Sequence, residues 1–181
     1  MLDKGHLYEV LDKFRKRVIT EARKNLTRGG KYGPYNASKD LHSSLDSELA
    51  VGPRSFSLQF FMMEYGEYLD KGVDGVKKKH GSPYSYRSKG GKYGLKGMPD
   101  PRHFEKWVKQ KGIPNRDRKT GRFMSYKTLS FLIARSVFHN GIKPSLFFTK
   151  PFEREFAKLD QELVEAFGLD IDEFLESVLN A

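Results

Sequence analysis

The stretch Leu45-Asp46-Ser47-Glu48-Leu49-Ala50-Val51-Gly52-Pro53-Arg54-Ser55-Phe56-Ser57-Leu58-Gln59-Phe60 decides the fold class of this 181-residue chain. In its second half Phe56, Leu58 and Phe60 alternate with Ser55, Ser57 and Gln59. That period of two sends successive side chains to opposite faces of a half-buried strand. The first half alternates more loosely through Leu45, Leu49 and Val51, and Gly52-Pro53-Arg54 between the halves reads as a turn. So short a connection joins strands antiparallel, and a β-hairpin is predicted.

Outward from the hairpin the period becomes helical. Upstream, Leu7, Val10, Leu11, Phe14, Val18, Ala22 and Leu26 recur at steps of three and four, with Lys13, Arg15, Lys16, Arg17, Arg23 and Lys24 largely on the other side. This predicts a helix of about five turns, ended by the glycine-rich Arg28-Gly29-Gly30-Lys31-Tyr32-Gly33-Pro34. Downstream, Asp100-Pro101 opens a short basic helix through Phe104, Trp107 and Val108, with Gly112 as its stop. Leu129, Leu132, Ile133, Val137 and Phe138 predict a helix central to the core, so that Leu132→Asp is expected to prevent folding. Thr149 opens another helix, carrying Phe152, Phe156, Leu159, Leu163 and Phe167 and closed by Gly168. Asp170 with Glu173 forms a capping box for a last one.

One helix, a hairpin and then several helices describe an α+β fold. A small antiparallel sheet packs with a long N-terminal helix and several C-terminal helices. The expectation is a single domain over 1–181. It carries a basic Gly/Tyr-rich loop insertion at about 75–99 and a helical, acidic C-terminal segment at about 150–181.

Composition narrows the chemistry. With no cysteine there is no disulfide framework, thiolate zinc site or cysteine nucleophile. The N-terminus has no signal-like apolar run, and no stretch approaches the ~20 apolar residues that cross a bilayer. A soluble protein used inside a cell, without a membrane partner, is expected. His6, His42, His80, His103 and His139 show no paired ligand spacing, and no nucleophile elbow or phosphate loop appears. Asp70, Asp74 and Lys77 fall together as chance allows in a chain that is 31% charged. No enzyme, cofactor, metal or catalytic residue is therefore assigned.

Charge is unevenly spread. Residues 77–127 hold sixteen Lys/Arg against three Asp/Glu, whereas residues 152–181 hold two against nine. The basic middle suits nucleic acid, or basic and acidic faces of neighbouring copies meet head to tail; a merely solvated surface is the plain alternative.

Two aromatic, Gly/Pro-punctuated segments flank the basic middle: Tyr65-Gly66-Glu67-Tyr68-Leu69-Asp70-Lys71-Gly72 and Ile142-Lys143-Pro144-Ser145-Leu146-Phe147-Phe148-Thr149-Lys150-Pro151-Phe152. Large rings beside backbone-restricting residues suit a docking surface better than a pocket for chemistry. The order of long helix, hairpin, Tyr65/Tyr68/Leu69/Asp70/Gly72 motif, helix, and Pro144/Phe147/Phe148/Pro151/Phe152 segment leading into a C-terminal helix resembles the tail-completion, or head-tail joining, family of tailed bacteriophages. The likeness spans roughly residues 5–75 and 125–165. Residues 76–124 stand as an insertion, and Ser38-Lys39-Asp40-Leu41 departs from the glycine-bearing step that many members carry before the first strand. It implies a structural virion protein, made in the bacterial cytoplasm. Its copies would form a ring, a hexamer or dodecamer, at the neck, where portal, neck and tail proteins meet around the DNA channel. Subunit-interface candidates are Tyr65, Tyr68, Asp70, Tyr84, Tyr86, Tyr93, Phe147 and Phe148. The plainer role for Tyr65 or Tyr68 singly is to cover the sheet's own core, and Pro144 and Pro151 favour a covered structural position first, and an interface second, for Phe147 and Phe148. The rival reading is a nucleic-acid-binding protein: Lys77, Lys78, Lys79, Arg87, Lys89, Lys92 and Lys96 alternate with Tyr84, Tyr86 and Tyr93, pairing cations for phosphates with rings for bases.

Overall fold

The computed structural model describes residues 5–30, 35, 39–52, 55–87, 96–117 and 120–179, and these form an α+β fold. The expected residues Tyr93, Lys89 and Lys92, and the Pro53-Arg54 turn, lie outside the described residues. In chain order the elements are α1 (Gly5–Arg28), α2 (Asp40–Ser44), β1 (Asp46–Val51), β2 (Phe56–Phe61), α3 (Tyr65–Lys71), α4 (Pro101–Gln110), α5 (Tyr126–Asn140) and α6 (Thr149–Leu179). The chain divides into two compact units, Met1–Met63 with Phe147–Ala181, and Glu64–Leu146.

The first unit is built on α1, α6 and the hairpin. β1 and β2 pair antiparallel, Asp46 opposite Phe61 through Val51 opposite Phe56. The register turns Leu49, Phe56, Leu58 and Phe60 toward a core of Leu11, Phe14, Val18 and Leu159. Phe14 is its centre, with Phe60 at 6.3 Å and Phe152 at 5.8 Å, both edge to face. Helix α1 buries Leu11, Phe14, Val18, Ala22 and Leu26, and ends where Gly29 turns left-handed (φ 67°) and donates to the Asn25 carbonyl at 2.9 Å.

Helices α1 and α6 run antiparallel. Glu21 of α1 faces Arg154 of α6, and Arg17 reaches Glu155 (3.3 Å) and Glu162 (2.6 Å). Glu155 is buried; that burial pushes its carboxyl up, but the Arg154 hydrogen bond and the charges of Lys158, Arg154 and Arg17 outweigh it and hold it below its ordinary value.

Two helices were expected after Thr149, separated at Gly168; one continuous helix of 31 residues is found. A mid-helix glycine costs about 1 kcal/mol against alanine, too little to break a helix whose Leu159, Ala166 and Asp170 are buried on either side of it. Asp170 does not cap a helix of its own. Its Oδ1 and Oδ2 accept the His6 and Leu7 backbone N–H groups at 3.0 and 3.2 Å, capping α1 from 163 residues away or more. A Cβ at Gly168 would meet nothing within 4 Å. Gly168→Ala is therefore expected to stabilise the protein by about 0.5–1 kcal/mol, read as a rise of a few degrees in the thermal midpoint.

In the second unit α4 and α5 pack together and bury Val108, Ala134 and Phe138. Asp100 caps α4 as expected, its side chain accepting the Arg102 N–H at 2.9 Å, with Pro101 at the first helical position. Helix α5 is capped by Ser125. Its buried face is Ser130, Ala134 and Phe138, so Leu132, expected in the core, stands 42% exposed on the opposite side. Of the other residues expected in the core, Phe138 is fully buried and Leu129, Ile133 and Val137 are partly buried, so periodicity found the inward arc and misplaced Leu132 alone.

Candidate functional site: a junction of the two motifs

Tyr65–Gly72 and the first residues of the Ile142 segment, far apart in the chain, meet in the second unit. Helix α3 and helix α5 each end in a glycine of the same mirror-extended conformation: Gly72 at φ 74°, ψ −173° and Gly141 at φ 73°, ψ −172°. An L side chain is strained there, which is why both positions are glycine. The residues that follow, Val73 and Ile142, then pair antiparallel and exchange both backbone hydrogen bonds at 2.7 and 2.8 Å. Three and four residues beyond Ile142, Ser145 and Leu146 donate their N–H groups to the Leu69 and Asp70 carbonyls at 3.1 and 3.0 Å. The Ser145 hydroxyl adds a 2.7 Å bond to the Leu69 oxygen. The second motif thus closes the C-terminal end of the helix that the first motif forms.

The start of the basic loop is tied to the same junction. Val76 donates to the Phe138 carbonyl, and Lys77 and Lys78 to that of His139, satisfying the last turn of α5. Asp74 accepts the His80 N–H at 2.6 Å and that of Ser82 at 3.3 Å. The His80 bond, more than the Ser82 bond or the Lys79 and His80 charges, holds its carboxyl below the usual range against a lesser penalty from desolvation. Asp74 thus organises a loop, and its carboxylate is committed to that.

On the outer side Tyr65 is 46% and Tyr68 38% exposed. The Tyr68 ring sits edge to face on Tyr84, centroids 4.6 Å apart. Lys71 and then the Tyr84 hydroxyl hold Glu67 below the ordinary glutamate range, and the same Glu67 bond raises Tyr84. Tyr86 is half-buried 6.2 Å from Phe138, and burial raises its hydroxyl.

The expected interface residues therefore divide. Tyr65 and Tyr68 present surface, and Tyr84 supports Tyr68. Asp70 is only 3% exposed, buried beneath the closing segment. Phe147 is fully buried, and Phe148 packs edge to face on Phe60 at 5.4 Å in the first unit. Burial removes Asp70 and Phe147 from the interface candidates and leaves Phe148 partly buried, in line with the covered position that the flanking prolines favour for the two rings. Of the nucleic-acid candidates, Lys77, Lys78, Lys79, Arg87 and Lys96 are exposed, whereas Tyr84 and Tyr86 are partly buried, Tyr84 against Tyr68 and Tyr86 near Phe138.

Sequence reasoning missed one grouping. His6, Asp170 and Glu173 have ligand atoms within 4.8 Å of one another. The Asp170 oxygens, however, are taken by α1 N–H groups, and His6 Nε2 lies 2.8 Å from Glu173. The cluster caps a helix, and its separation in sequence hid it from spacing rules. No helix among the described residues is long and apolar enough to cross a membrane.

The units also differ in charge. Residues 64–146 carry nineteen Lys/Arg against seven Asp/Glu (+12); the rest of the chain carries fourteen against sixteen (−2). Comparison of the chain with protein-family models, with curated proteins and with solved structures returned no match.

Proposed function

We propose that this chain is a structural subunit of a bacteriophage neck, forming a ring that joins the portal side of the head to the tail and leaves a channel for DNA. What carries the reading is the junction itself. The two motifs behind the family resemblance converge on one backbone ladder, from Val73–Ile142 to the closure of α3 by Ser145 and Leu146. Tyr65 and Tyr68 are left on a rigid base with their rings outward. Rigid, partly exposed tyrosines offer contact area at small entropic cost, which suits an assembly anchor. The work of such a subunit is mechanical, and the proposal includes no catalytic or cofactor step.

The test is the mass and shape of the protein alone and with portal-side and tail-side proteins, together with particles grown without it. Closed rings, and full heads that fail to acquire tails, are expected. A protein that is monomeric in every mixture and missing from virions overturns the proposal.

A second reading, non-specific DNA binding, is favoured by the +12 of residues 64–146 and the exposed Lys77, Lys78 and Lys79. Neutralising six or more phosphates makes affinity fall on the order of a thousandfold between low and moderate salt. Salt-sensitive retention of DNA by monomers supports this reading; salt-stable rings without DNA support the first.

A further inference from the structure

The C-terminal half of α6 carries a second apolar face. Val164, Phe167, Ile171, Phe174 and Val178 recur at alternating steps of three and four, the spacing of a seam that receives another helix. It is not the face that holds Leu159, Ala166 and Asp170 inward. Val164 is 72% and Val178 57% exposed, and Phe167 and Phe174 are exposed as well. Because His6 at the start of α1 pairs with Glu173, residues 174–179 continue roughly 9 Å past it. A helix that long, bare and apolar on one side is an interaction surface.

Charge selects the occupant. After Lys158 the chain has no Lys or Arg and seven Asp/Glu. Asp160, Glu165, Asp172 and Glu176 among them are exposed, and pairing the seam with itself would bring two such acidic helices together. A complementary surface exists on the same chain: the outer face of α5 exposes Phe131 (39%) and Leu132 (42%) between exposed Lys127 and Arg135, in the part of the molecule that carries +12. Apolar residues beside cations on a basic surface, and apolar residues on an acidic helix, fit a contact between unlike faces.

We propose that the Val164–Val178 seam of one copy docks on the Phe131/Leu132 face of α5 in a second copy, head to tail. Such a heterologous contact repeats, and closes into a ring where the rotation allows. The inference rests on the ring reading and supplies the surfaces that would build it.

The experiment measures self-association by sedimentation velocity for wild type, a Val164→Ser/Phe174→Ser seam variant, and Leu132→Asp and Arg135→Glu receiver variants. All the substituted side chains are exposed, so folding, checked by circular dichroism and Trp107 emission, is expected to be retained. The seam variant and Leu132→Asp should each weaken association at least about tenfold, and Arg135→Glu should weaken it and reduce its dependence on salt. The deciding arm is an equimolar mixture of the seam variant with Leu132→Asp. Each retains one good face, so the mixture should form heterodimers and nothing larger. Receiver variants that associate like wild type while the seam variant does not would mean that α6 pairs with itself, and overturn the inference. So would normal association of the seam variant, or a wild type monomeric at every concentration. Rings that persist in all variants defeat this contact and leave the neck reading standing; absence from virions defeats the neck reading alone.

Discussion

Phe14→Ala is expected to destabilise the first unit by about 3–5 kcal/mol, the usual cost of deleting a fully buried ring. Phe14 is 1% exposed and receives the edges or faces of Phe60 and Phe152. Those two rings also touch each other at 5.9 Å, and Phe148 approaches both within 6.0 Å. Removing the ring therefore opens a void at the one place where α1, the hairpin and α6 converge. A sheet of only two strands has little independent stability, so the hairpin relies on that convergence. Because stability as a whole is typically 5–15 kcal/mol, the loss is a large part of the total, read as a fall in the midpoint of roughly 10 °C or more. Circular dichroism is the measurement to use, since α1 and α6 supply most of the helix. A loss below about 1 kcal/mol would mean that the aromatic cluster is not the keystone the geometry makes it.

Much of this architecture was legible in local pattern. The change of period at Leu45 and the alternation from Phe56 to Phe60 located the hairpin, and Asp100-Pro101 located α4, because each signal and its structural consequence lie within a few residues. Helix α3 was not legible. Seven residues with a glycine and two tyrosines are too short to show a period, and α3 is closed by Ser145 and Leu146, 76 residues on from its own carbonyls. Gly168 misled for the complementary reason: local propensity marked a stop, and burial against α1 overrode it. Asp170 was read as a cap for its own neighbours when its partners are His6 and Leu7. For the site, each segment stands out in the sequence by its rings, glycines and prolines, but that the two meet depends on backbone pairing between distant residues. The bracketing prolines favour a covered place for Phe147, which is fully buried, and Phe148, which is partly so, but nothing local to Tyr65 and Tyr68 says that they stand exposed. Their exposure is set only when the segments are placed.

The second large effect is expected at Gly141. In Gly141→Ala the new methyl group would press into the Val73 carbonyl oxygen and come within 2.5 Å of the Gly75 nitrogen, both backbone atoms. The residue would also have to hold φ 73° with an extended ψ, a conformation that costs a non-glycine about 1–3 kcal/mol before any clash. Neither neighbour can swing aside as a side chain would, because Val73 is fixed by its exchanged pair with Ile142 and Gly75 donates to the Lys78 carbonyl. A loss of at least about 3 kcal/mol follows. Gly112→Ala is the control: at φ 60° with nothing within 4 Å of its added carbon, it pays the left-handed backbone alone, roughly 1 kcal/mol. Trp107, the only tryptophan, sits on α4 in the same unit and reports the transition by its emission. If Gly141→Ala and Gly112→Ala lower that midpoint equally, close backbone approach at the junction is not what the glycine is there for. If Gly141→Ala is much the worse, the ladder joining the two motifs fixes the base on which Tyr65 and Tyr68 stand, and the same variant should impair ring formation below its own unfolding temperature.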